Sequence, residues 1–223
     1  MNTAFKITAT HRWIAALVKQ KFRVGTAFAL MTVLKTKNVE KDLMKLVGLD
    51  FETANHTFGS ICAAGCAIME DGVVVEKQEW LIRPHRTVDR MHGACFAAHG
   101  ISWYDLRDVP EFPAVWPVLR RMLTSGGVVV AHNAAFDLNH LKGVLDIYGL
   151  ASVEFDYVCS LRVSRELLPE LDSHSLDAVA AHFGHEFHHH DALEDAIACA
   201  TIIQHLGVPE NSLRRFDYCP ASI

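Results

Sequence analysis

Apolar positions in this chain follow two rhythms, one short and one long, and they change places partway along. Residues 46–52 form a brief apolar run that ends in acids, and residues 60–69 and 73–82 are two more runs of strand length and composition. Between the last two sits Asp71-Gly72, a dipeptide that favours the tight turn of a β-hairpin. After a looser stretch rich in His, Gly and Pro, the spacing lengthens. Phe, Val, Trp and Leu recur at helical intervals over residues 112–123, and Gly126-Gly127 closes that segment. Residues 128–131, all Val and Ala, read as a fully buried strand. Phe136, Leu138, Leu141, Leu145 and Tyr148 then mark a helix over residues 135–148 that stops at Gly149. A strand over residues 155–159 and helices over 161–168, 175–183 and 192–206 complete the pattern, and the chain from Pro209 reads as a surface extension. Three strands with a hairpin, then alternating helices and strands, predict an α/β fold: a mixed sheet, antiparallel at its start, with helices packed on it.

Composition adds limits to this picture. The chain has 223 residues, of which 50% are hydrophobic, enough for one domain to bury a core without metal or disulfide staples. The six cysteines mostly lie in apolar runs, with no Cys-x-x-Cys pair and no secretory signal. They read as reduced thiols of an intracellular, cytoplasmic protein. Cys62 and Cys66 fall on one face of a strand and are read as core rather than as zinc ligands. No apolar run reaches the roughly 18 residues of a membrane span, so no membrane partner is expected.

The net charge of −5 hides an asymmetry. Lys6, Arg12, Lys19, Lys21, Arg23, Lys35 and Lys37 precede the first acid, so residues 1–43 form a basic leader and the rest is markedly acidic. Three readings of the leader stay open: a targeting peptide, a helical arm, or a dispensable stretch before a domain that starts at Met44. The third is favoured, with domain limits of 44–208 and a short tail at 209–223. An acidic body argues against broad electrostatic binding of nucleic acid, but not against a narrow site where metal ions supply the positive charge.

Acids recur where such a site would form. Asp50 and Glu52, two apart on a strand, project from one face while Leu49 and Phe51 point to the other. Like charges held side by side raise each other's energy unless a cation neutralises them. The bland reading is a strand end meeting solvent. Asp137 opens a helix just after a buried strand, where open α/β sheets place ligands, although an acid there also complements the helix dipole. Asp191, Glu194 and Asp195 fall in the first turn of the last helix, directly after His188-His189-His190.

Together, Asp-x-Glu on the first strand, His132-Asn133 with Asp137 after a later strand, and His190-x-x-x-x-Asp195 opening a late helix resemble the three motifs of the DEDDh family of 3′–5′ exonucleases. That family includes the DnaQ-like proofreading epsilon subunit of DNA polymerase III and ribonuclease T. The resemblance covers roughly residues 46–206, including Thr53-Ala54-Asn55 and the His99-Gly100-Ile101 loop. It implies a ribonuclease-H-like fold. It also implies that Asp50, Glu52, Asp137 and Asp195 hold two divalent cations, Mg²⁺ or Mn²⁺, and that His190 is the general base. Hard cations prefer carboxylate oxygen, and an imidazole of ordinary pKa about 6.5 can accept a proton from water at neutral pH. Thr53, Asn133 and Phe136 resemble positions at the terminal nucleotide, with an ordinary core aromatic as the alternative for Phe136 and a turn cap as the alternative for Asn133. His188 and His189 are expected in a solvated loop, because neighbours on an extended chain point apart.

The implied function is removal of nucleoside 5′-monophosphates from single-stranded or frayed 3′ ends, DNA favoured, in proofreading or end trimming. An exoribonuclease is the alternative enzyme, and a non-catalytic nucleic-acid-binding module the alternative of another class. A polymerase partner stays open, and the short stretch beyond Leu206 favours a free-standing nuclease.

Overall fold

A computed structural model describes residues 44–220, so the expectations for the basic leader fall outside the described residues. Six strands form one sheet in the order β3-β2-β1-β4-β5-β6. They are β1 (Lys45–Thr53), β2 (Ile61–Glu70), β3 (Val73–Leu81), β4 (Val128–Ala131), β5 (Val153–Cys159) and β6 (Arg214–Tyr218). The first three pair antiparallel, β1–β4 and β4–β5 pair parallel, and β6 closes the far edge antiparallel to β5. The β2–β3 hairpin turns at Asp71 (φ 51°) and Gly72 (φ 81°), both in the left-handed region that this two-residue turn requires.

Alternation along β1 decides which layer each residue joins. Val47, Leu49 and Phe51 pack against α3 (Phe112–Leu123) and α4 (Ala135–Tyr148), through Phe112, Val115, Leu119, Leu141 and Leu145. Leu46, on the opposite face, joins Val130 and Val158 beneath α5 (Ser160–Leu167), α6 (Leu176–His182) and α7 (Ala192–Leu206). With helices on both faces, β2 is buried over nearly its whole length, and it meets that demand with small residues. Helix α7 seats directly on two glycines. A Cβ added at Gly48 would lie 2.0 Å from the Ala196 carbonyl oxygen, and one at Gly65 would lie 2.0 Å from that of Ala192.

Three features depart from the sequence reading. Two short helices, α1 (Gly93–His99) and α2 (Trp103–Leu106), occupy the looser stretch. The segment after Pro209 is not a free extension, since β6 inserts Phe216 against Phe155, with stacked rings 4.9 Å apart. Asp191 is the N-cap of α7 rather than part of its first turn, and its side chain accepts from the amides of Leu193 and Glu194. Among the described residues no helix is long and apolar enough to cross a membrane.

Candidate active site

Parallel strands β1 and β4 end side by side, and three elements bring acids to that end. β1 presents Asp50 and Glu52 on the α7 face. Asp137 comes from the first turn of α4 and Asp195 from the first turn of α7. The carboxylate oxygens of Asp50, Glu52 and Asp195 lie within 4.8 Å of one another. Asp137 is 1% exposed: one oxygen accepts from the Phe51 amide at 3.1 Å, and Oδ2 is buried without a hydrogen-bond partner. Among the described residues no lysine or arginine pairs with any of the four.

So much uncompensated negative charge shifts the acids upward. Burial, then the neighbouring Asp137 and Asp195, holds Asp50 well above the usual carboxylate range. Glu52 is pushed up to about 8, by burial first and by Asp195 next. Burial also raises Asp137 against the opposing pull of the Phe51 amide. Asp195 rises less freely, because the histidines before α7 counter its burial. The four carboxylates offer oxygen donors, one of them an orphaned buried atom, and that set suits hard divalent cations.

The histidine loop differs from its expected form. His190 adopts φ 71°, which turns the chain so that both rings face the acids, stacked with centroids 4.0 Å apart. His189, expected in a solvated loop, donates from Nδ1 to both Asp195 oxygens at 3.1 Å. The His190 backbone amide donates to Asp195 Oδ2 at 3.2 Å, and its Nδ1 lies 3.8 Å from Glu52. Burial and the adjacent His189 lower the His190 pKa below its ordinary value.

Around these groups opens a pocket of about 810 Å³ that includes Thr53, Phe136, His99, His132 and Arg165 in its wall. Phe136 is 38% exposed and so is not a core aromatic. Thr53 is buried, and its carbonyl accepts from His99 Nε2 at 3.2 Å. Asn133 does not line this pocket, and its side chain caps no helix; with φ 63° its backbone makes the turn, and its carbonyl accepts from the Phe136 amide. His132 has both ring nitrogens engaged, one with the Ser160 hydroxyl and one with the His174 carbonyl, each at 2.9 Å. Burial lowers its pKa to about 4, so it serves as a neutral strut. Sequence reasoning gave no role to His189, His132 or Arg165. For His189 the only signal was its place beside His190.

Comparison with known proteins decides the family. The RNase_T exonuclease profile matches residues 47–203. The chain belongs to that exonuclease family. Among curated relatives, the PolC-type DNA polymerase III of Thermotoga petrophila is 32% identical over 160 residues, which cover 70% of this chain but 11% of that protein. The corresponding polymerase of Caldanaerobacter subterraneus is 39% identical over 104 residues, 46% of this chain and 7% of its own. This exonuclease chain therefore spans about a tenth of the length of the relatives it matches. Exonuclease X in complex with 5′ overhanging duplex DNA shares the fold at TM-score 0.59 and 24% identity, covering 75% of this chain and 96% of that one. The nuclease domain of 3′hExo, a DEDDh family member bound to rAMP, does so at TM-score 0.61 and 13% identity, covering 74% and 92%. Both likenesses show the fold: a ribonuclease-H-like mixed sheet flanked by helices, which this member of the RNase_T exonuclease family shares with them.

Proposed function

We propose that the protein is a two-metal 3′–5′ exonuclease that releases nucleoside 5′-monophosphates from single-stranded or frayed 3′ ends, with DNA as the favoured substrate. One observation carries the reading: four carboxylates from three elements, packed together with no cationic side chain paired to them among the described residues. Such a cluster repels a phosphodiester by itself. Asp50, Glu52, Asp137 and Asp195 would hold two Mg²⁺ or Mn²⁺ ions, which when bound lower the pKa of a coordinated water and stabilise the leaving 3′-oxygen.

The protein's own groups do the remaining work. His190 accepts the proton of the attacking water at Nε2, while Nδ1 lies 3.8 Å from a Glu52 oxygen. Burial and the adjacent His189 hold the His190 pKa below its ordinary value, which favours the neutral, proton-accepting ring. His189 is a positioning residue: its bond to Asp195 holds that carboxylate toward Asp50 and Glu52. Phe136 offers an exposed face on which the terminal base can stack, and Thr53 lines the pocket beside the same nucleotide.

A route for the rest of the strand is supported by a second concavity, of about 410 Å³, that meets the first at Arg165. It includes Arg162, Arg165 and Arg214 in its wall. Among the described residues none of these arginines is in an ion pair. They suit the phosphates upstream of the scissile bond. The DNA preference rests on the polymerase relatives. The test offers matched 5′-labelled single-stranded DNA and RNA with Mg²⁺ and then Mn²⁺. A ladder shortening from the 3′ end, faster on DNA, is expected. Faster RNA shortening makes the protein an exoribonuclease, and binding without cleavage makes it a binding module.

A further inference from the structure

A second cluster of metal-ligating side chains lies at the rim of the same pocket, with a donor set unlike the carboxylates. His56, in the loop after β1, meets His92 and Cys95 of the α1 start, and one ligand atom from each lies within 4.8 Å of the others. The sequence brings them together for local reasons. His92 is the N-cap of α1 and Cys95 follows three residues later, a spacing that places both side chains on one side of a first helical turn. The ring of His56 sits 5.0 Å from that of His92 at a 55° tilt. Both histidines are exposed and Cys95 is half-buried.

The backbones that carry these groups are already fastened to each other. The His92 amide donates to the Ala54 carbonyl at 2.7 Å, and Asn55 Nδ2 donates to the carbonyls of Val88 and Arg90, both at 2.8 Å. Zinc bonds of about 2.0–2.1 Å to nitrogen and about 2.3 Å to sulfur set tetrahedral ligands roughly 3.3–3.8 Å apart. The ligand atoms already lie within 4.8 Å of one another, and both histidines are exposed and free to rotate toward the half-buried Cys95.

We propose that His56, His92 and Cys95 bind Zn²⁺, with the fourth coordination position left to water. The donors decide the metal class. Two imidazoles and a thiolate suit a borderline-soft ion, whereas the carboxylate cluster suits a hard one, so Mg²⁺ does not compete for the rim site. Because His56 and Cys95 both line the pocket, the ion sits at its mouth. It ties α1, which carries His99, to the end of β1, where His99 holds the Thr53 carbonyl. This inference does not depend on the catalytic reading.

Three measurements on the full chain test it. Alkylation of each cysteine by iodoacetamide is followed by mass spectrometry with and without Zn²⁺, using exposed Cys219 as the internal reference. Zn²⁺ is expected to protect Cys95 and not Cys219, and excess Mg²⁺ to protect neither. Co²⁺ as a probe is expected to give a thiolate charge-transfer band that persists in Asp50→Asn and vanishes in Cys95→Ser. His92→Ala should weaken Zn²⁺ binding by more than the roughly 10- to 100-fold typical of losing a group that merely supports a ligand. Equal alkylation of Cys95 with and without Zn²⁺, protection by Mg²⁺, a cobalt band that survives Cys95→Ser, or unchanged zinc affinity in His92→Ala would each overturn the site.

Discussion

Two concavities adjoin near the carboxyl ends of the parallel strands, one built around Asp50, Glu52 and Asp195, the other lined by Arg162, Arg165 and Arg214, and they meet at Arg165. The first concentrates charge of the same sign as its proposed substrate and sinks it into the fold; the second holds the opposite sign on exposed side chains. The difference separates two tasks. Buried acids can fix cations only because α7, α4 and β1 hold them rigidly, whereas phosphates along a flexible strand are better met by long side chains that can follow them. An acidic protein can thus handle a polyanion without a broadly basic surface.

The sharpest way to break this contrast is to empty the acidic side. Asp50→Asn should reduce cleavage to the limit of detection, while the metal-free protein keeps or gains thermal stability because the fold no longer buries an ionisable acid beside Asp137 and Asp195. Measurable turnover in that variant would sink the two-metal assignment. Next in size, His190→Ala should slow turnover by roughly 10²- to 10⁴-fold, the usual worth of a general base, with metal affinity little changed. His189→Ala should cost less and act through Asp195, showing as weaker metal binding in calorimetry. If the His189 variant proves slower at saturating metal, the two roles are exchanged.

On the arginine side, Arg165→Ala should raise KM, leave kcat nearly unchanged, and lower the slope of log affinity against log salt by about one. A large fall in kcat would place Arg165 in the chemistry rather than in the track. The smallest effect concerns pH. Glu52 titrates near 8 in the folded, metal-free protein against an ordinary 4.5, so between those values the folded state keeps a proton that the unfolded chain has released. Metal-free stability should therefore fall as pH rises through this window, and saturating Mg²⁺ should flatten the trend. Each pH unit of this window is worth at most roughly 1.4 kcal/mol, and roughly 1 kcal/mol moves Tm by about 2–4 °C in a domain of this size, so a fall of several degrees or more is expected across it. Melting curves across the window that do not move would contradict it.

Much of this was legible in the chain because strand alternation and helix starts are local. Asp50 and Glu52 had to share a face, and Asp137 and Asp195 had to open helices. What stayed hidden depends on torsions and distant neighbours. Nothing in His188-His189-His190 reveals that His190 takes a positive φ, or that His189 reaches Asp195 six residues on. Asn133 looked like a pocket or capping residue from its side chain, whereas its backbone does the work. Helix α1 buries none of its residues and so left no apolar rhythm to read. Strand β6 is five residues long and is defined by its pairing with β5.

The glycine seats beneath α7 have a consequence of a mechanical kind. Gly65 pairs with Asp50 across the β1–β2 ladder and lies directly under Ala192, three residues before Asp195. The gap between strand and helix is therefore gauged by bare backbone on backbone, with no side chain to compress. A methyl group at Gly65 would act as a shim beneath the helix and lift Asp195 away from its partners. Metal affinity would then drop although every carboxylate, histidine and arginine named above was still present. The tolerance of the whole centre is set at a residue with no chemistry of its own.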